Sequence, residues 1–254
     1  MRVYFPPIAV LLAVLVPGAG LTAAHADTYM KQVRQTEAMQ VMGQQVPASN
    51  ETSILWFGDG RARMDTGEKM SVILRADRNL IYILNHGDRT YMEMPLDGKN
   101  MMEGMMPEGE DGAQAAEMMK NMMSSMMQET KATVTPTDER KKFRDWNARK
   151  YVVEITLPMG TTTSEVWASK DIKVDTHMFH QLSTAMMSMM GGAEKITKEM
   201  EKIEGVEVYS TSSASMMGST TKSTQELVEY GEKSPPAGTY DLPEGYRKAT
   251  MMGG

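Results

Sequence analysis

The sequence predicts an α+β protein built on one large antiparallel sheet. Three observations carry that prediction. Short apolar runs between residues 53 and 95 recur at the spacing of an antiparallel meander, and polar turns close each of them. Residues 113–130 show helical rather than strand periodicity. The order of elements is strands, helix, strands, helix, strands, which segregates helices from a continuous sheet.

The elements follow in order. Residues 53–57 form an apolar run that ends at Gly58-Asp59-Gly60, a hairpin turn that lacks the third glycine of a phosphate loop. Residues 61–65 alternate polar and apolar. Residues 70–74 and 80–84 are apolar runs separated by Asp77-Arg78-Asn79, and residues 90–94 end at Pro95. Residues 97–112 are rich in Gly, Met, Glu and Asp and read as a loop. Residues 113–130 then make a helix about 27 Å long at 1.5 Å per residue. Strands are expected to resume at Lys142, with 148–157 and 161–169 as a hairpin about Pro158-Met159-Gly160. A second helix over 175–203 is interrupted at Gly191-Gly192. Residues 205–212 and 220–230 are the last strands, and the tail through Pro235-Pro236 to Tyr246 lies against the sheet.

Composition narrows the function. Hydrophobic residues are 41% and charged residues 24%, which is ordinary for a globular domain. The absence of cysteine removes disulfides, thiolate metal sites and thiol nucleophiles. The net charge of −6 argues against a nucleic-acid partner, which a basic face would recognise. Residues 1–26 read as a secretory signal: Arg2, an apolar run over 8–16, a break at Pro17-Gly18, and an Ala24-His25-Ala26 cleavage site. That run is too short to span a bilayer, which takes roughly 20 residues. A periplasmic chain that starts at Asp27 as a single domain, without a stable membrane anchor, is expected.

Methionine is the compositional anomaly, at 29 of 254 residues. Met118, Met119, Met122, Met123, Met126 and Met127 fall within an arc of about 180° on the first helix. Met186, Met187, Met189 and Met190 cluster on the second, and Met101, Met102, Met105 and Met106 in the loop. Three readings stand side by side. The methionines fill a core; or they form an adaptable apolar surface for a hydrophobic ligand; or their thioethers buffer Cu(I) or Ag(I).

Catalytic chemistry finds no support. His177 and His180, with Asp175 nearby, have no third ligand at a recognised spacing and read as a solvated helix start. His86 reads as turn chemistry. Asp59, Asp65, Asp77 and Asp88 are spread over turns without a pairing signal. No nucleophile elbow, zinc helix or phosphate loop occurs. A non-enzyme without a cofactor is expected.

The strand motifs also carry a resemblance. Gly58-Asp59-Gly60, Arg61-Ala62-Arg63-Met64-Asp65, the 71–77 and 80–84 runs and Thr90-Tyr91-Met92-Glu93-Met94-Pro95 make up its first half. Ala148-Arg149-Lys150-Tyr151, the run 165–172 and Leu242-Pro243-Glu244-Gly245-Tyr246 make up the second. Together they resemble an uncharacterised family of exported bacterial proteins that is similar to the LolA/LolB lipoprotein-carrier superfamily. The resemblance implies a strongly curved antiparallel sheet, an unclosed LolA-like half-barrel, with the Met-rich helices on its concave face. It implies a cavity for lipid or lipoprotein acyl chains, and no catalytic residues. Trp56, Phe57, Trp146 and Trp167 would line the cavity or pack the core. Binding or carriage of a hydrophobic ligand is the expected function, with a metal buffer or an envelope protein-binding sensor as alternatives.

Overall fold

The computed structural model describes residues 26–41, 44–96, 130–158, 160–175, 178, 181–182, 193–216 and 219–249. Its strands are β1 (Asp27–Thr36), β2 (Met39–Val41), β3 (Gln44–Val46), β4 (Ser49–Gly58), β5 (Arg61–Thr66), β6 (Met70–Arg75), β7 (Leu80–Asn85) and β8 (Thr90–Pro95). They continue as β9 (Lys131–Phe143), β10 (Trp146–Leu157), β11 (Gly160–Ser169), β12 (Val206–Met216), β13 (Ser219–Lys233) and β14 (Arg247–Lys248). An α-helix, α1 (Ala193–Met200), lies between β11 and β12.

Twelve strands form one sheet in the order β14-β8-β7-β6-β5-β4-β1-β13-β12-β11-β10-β9, and β2 and β3 pair separately. Two meanders therefore flank β1, which pairs with β4 on one side and β13 on the other. The pairings are antiparallel except for β14, which runs parallel to β8. The outermost strands β14 and β9 do not meet, so the sheet is open.

The N-terminal meander forms where alternation and turns agree. The β4–β5 turn needs a left-handed residue and has Gly60 at φ 63°. Alternation then gives the sheet two apolar faces. On one, Met30, Leu55, Met64, Val72, Ile83 and Met92 lie opposite one another as a row across six strands. Phe57, Ala62, Leu74, Ile81 and Met94 make the adjacent row. On the other face Tyr29, Trp56, Ile73, Tyr82 and Leu84 cluster with Tyr240.

Three expectations are corrected. The fold class is mostly β rather than α+β, with a mixed sheet in place of a purely antiparallel one. Among the described residues no methionine-rich helix lies on a concave face. Helix α1 is short, and it packs at the far end of the sheet. Its Met200 joins Val134, Tyr151, Val153, Val166 and Ala168, while Glu199 Oε2 accepts the Val134 N–H at 3.0 Å and so caps a group on edge strand β9. The helix expected over 175–203 is shorter at both described ends: Asp175 is not helical, Met178, Gln181 and Leu182 are, and α1 ends at Met200, ahead of 201–203. Gly205 fixes the return to the sheet. It has φ 102°, and a Cβ there would sit 2.3 Å from the Ser169 carbonyl oxygen.

Strand β9 fills a stretch the sequence leaves as a connection. Its interior proline, Pro136, argues against a central strand, but β9 is the last strand of the sheet, where a missing donor is tolerated. Strands β12 and β13 run longer than their apolar residues indicate. Hydroxyl pairs take over there, with Ser164 and Ser212 2.8 Å apart and Ser215 and Thr220 2.9 Å apart.

Candidate functional site

The ten methionines singled out by sequence, Met118, Met119, Met122, Met123, Met126, Met127, Met186, Met187, Met189 and Met190, lie outside the described residues, as do Met101, Met102, Met105, Met106, His177 and His180. The structure gathers a different set. Met30, Met94 and Met178 are buried in one cluster, and Met64, Met70 and Met92 pack against it half-buried. Register is the signal that finds them. Met64 and Met92 share a row with Met30, and Met94 shares the next. Phe57 is buried in this cluster and Trp146 and Trp167 pack against it. Trp56 points to the opposite face and stacks edge-on with Tyr29 at 4.8 Å. Asp175 Oδ1 accepts the Met178 N–H at 3.1 Å, a capping role rather than a ligand role.

The opposite face carries the C-terminal tail. Tyr240 is buried among Tyr29, Trp56, Ile73 and Tyr82, and Leu242 and Tyr246 pack beside it. Its hydroxyl donates to Asp27 Oδ2 at 2.6 Å, and the Arg61 guanidinium sits 4.7 Å from its ring centre. Burial and the Asp27 carboxylate push the Tyr240 phenol far above its ordinary range. Arg75, itself buried, holds Asp77 with two 2.8 Å bonds and donates to the Tyr240 carbonyl at 3.2 Å and to Asp241 Oδ1 at 3.4 Å. The Arg75 hydrogen bond keeps the Asp77 carboxyl below its usual range.

A second set of bonds locks the tail one row away. Asp65 and Ser71 are cross-strand neighbours on β5 and β6. The Ser71 hydroxyl donates to Asp65 Oδ1, and His86 Nε2 lies 2.6 Å from the same hydroxyl. His86 Nδ1 lies 2.5 Å from the Tyr246 hydroxyl. Arg63 donates to Asp65 at 2.7 Å, to Ser71 at 3.2 Å and to the Thr239 carbonyl at 3.0 Å. The serine and histidine do not make a nucleophilic pair. A triad carboxylate orients the histidine and leaves the serine exposed. Here the carboxylate accepts the serine hydroxyl's hydrogen bond, and Ser71 is 0% exposed. With the Ser71 hydroxyl hydrogen directed at Asp65, the neutral His86 tautomer that fits has Nε2–H donating to Ser71 and Nδ1 accepting from Tyr246. The chain Asp65–Ser71–His86–Tyr246 is thus a latch. The sequence placed Asp65 and His86 in unrelated turns; the structure joins them to each other and to a tyrosine 160 positions on.

The molecule is thus an open β-sheet protein with a methionine-lined face and a strapped one. Residues 149–246 match the model of a domain of unknown function, DUF4412. The match runs from β10 to Tyr246, the last residue of the latch, and supplies no tie to the lipoprotein carriers. No curated protein matches the chain.

Proposed function

We propose that the protein is an exported, non-enzymatic binder or carrier of a hydrophobic ligand, a lipid or a lipoprotein acyl chain, held against the methionine face. The observation that carries this reading is the unbroken apolar row Met30–Leu55–Met64–Val72–Ile83–Met92 across six strands. Branched residues fix the row at Leu55, Val72 and Ile83. Unbranched thioethers at Met64 and Met92, both half-buried, can re-pack around chains of different length. The strand motifs that resemble exported lipoprotein-carrier relatives and the signal-like residues 1–26 support the same reading.

Titration of the full mature chain with a fluorescent 16-carbon acyl probe tests it. The Met64→Gln, Met92→Gln double variant should weaken binding about tenfold or more, because each amide places a polar group against hydrocarbon. The β signal in circular dichroism should be retained. Unchanged probe affinity in a folded double variant would reject the face as the binding surface.

A further inference from the structure

Beyond the apolar row, the methionine face ends in a polar strip. Met30, Gln32 and Arg34 share one side of β1, so Arg34 lies four residues, about 14 Å, beyond Met30. Arg34 Nε and Nη2 both donate to Gln225 Oε1, at 3.0 and 2.7 Å. The other end of that amide, Gln225 Nε2, donates to Glu207 Oε1 at 3.1 Å. Glu207 also accepts the Ser210 hydroxyl at 2.7 Å. Residues 207 and 210 are three apart, so a regular strand would point them to opposite faces. The register shift between Trp167 and Ala168 leaves Val208 as an extra residue in β12, and this bulge turns Glu207 onto the side of Ser210 and Gln225.

The strip leaves the guanidinium without an opposing charge in contact. Arg34 is exposed and spends its described bonds on a neutral amide. Among the described residues it makes no ion pair. Glu51 stands opposite it on β4 but turns its carboxyl toward Gly67. Burial pushes the Glu207 carboxyl up toward its neutral form, against the pull of Ser210, Arg34 and Gln225.

We propose that Arg34, held from behind by Gln225 and Glu207, anchors the carboxylate head group of an acyl ligand whose chain lies on the methionine face. This rests on the hydrophobic-ligand reading above. A guanidinium presents paired donors that fit a carboxylate, and one such group with one open edge suits a singly charged head.

The test compares a 16-carbon fatty acid, its methyl ester and the matching alkyl phosphate on the full mature chain, with Arg34→Gln and Arg34→Lys variants. The acid should bind about tenfold tighter than the ester, and tighter than the phosphate. Arg34→Gln should erase the preference for acid while leaving ester affinity unchanged, and Arg34→Lys should retain part of it. Equal binding of acid and ester, or a preference that survives Arg34→Gln, would overturn the anchor and leave the hydrophobic-ligand reading standing. Tighter phosphate binding would overturn the choice of carboxylate. Failure of acid and ester alike would overturn both the anchor and the reading it rests on.

Discussion

The two faces of this sheet are built from the same strands and are packed by different physics. Leu74 and Ile73 are adjacent on β6, and both are 0% exposed. Leu74 faces the methionine row and Ile73 faces the tail. On the tail face an apolar cluster is pinned by directional bonds: paired carboxylates, a buried tyrosine hydroxyl, a histidine held at both nitrogens. Such a face accepts one partner in one position. On the methionine face the half-buried groups include three flexible thioethers, Met64, Met70 and Met92, which suit a guest of variable shape. Alternation alone produces this division, since each residue on a strand has its neighbour on the opposite side.

The largest effects should come from that adjacent pair. Leu74→Ala and Ile73→Ala should each cost about 2–5 kcal/mol in chemical denaturation. They should separate in function: Leu74→Ala weakens acyl-probe binding, whereas Ile73→Ala leaves it intact and speeds proteolysis of the tail. Equal effects of both on binding would erase the distinction between the faces. The latch comes next. Tyr246→Phe removes the partner of His86 Nδ1 and should cost about 1–3 kcal/mol, with faster cleavage after residue 236 and unchanged probe binding.

The pH response should differ in sign between the faces. Asp77 is held below its ordinary range, so its contribution is present above the unfolded carboxylate value and is lost as pH falls through the folded one. Glu207 is pushed up, so its contribution is present below the unfolded value and is lost as pH rises through the folded one. Asp77→Asn should flatten the acid limb of stability against pH, and Glu207→Gln the limb above it. Denaturation curves from acid to neutral pH read both. The smallest effect belongs to the surface pair Lys248–Glu93, which should contribute about 0–1 kcal/mol.

The sequence made the N-terminal meander legible nearly to the residue. The runs at 61–65, 70–74, 80–84 and 90–94 each fall one residue short of β5, β6, β7 and β8. Period-two alternation and turn residues act locally there and agree. The tail against the sheet was legible from its prolines and tyrosines. Strand β9 was not, because Pro136 and a run of charges hide an edge strand whose pairing comes from β10. The α+β class failed because most of the described residues lie in strands and α1 is short, while the two methionine-rich stretches that suggested helices lie outside the described residues. The latch was illegible because no local pattern links His86 to Tyr246, and the Arg34 strip because a bulge reverses the parity that sequence reading assumes.

The most direct test of the central claim is native mass spectrometry of the mature protein purified from its natural source without detergent. The account predicts a bound mass in the range of a fatty acid or phospholipid, lost in the Met64→Gln, Met92→Gln variant and retained in Tyr246→Phe. A bare mass, or an increment of copper or silver, would contradict it.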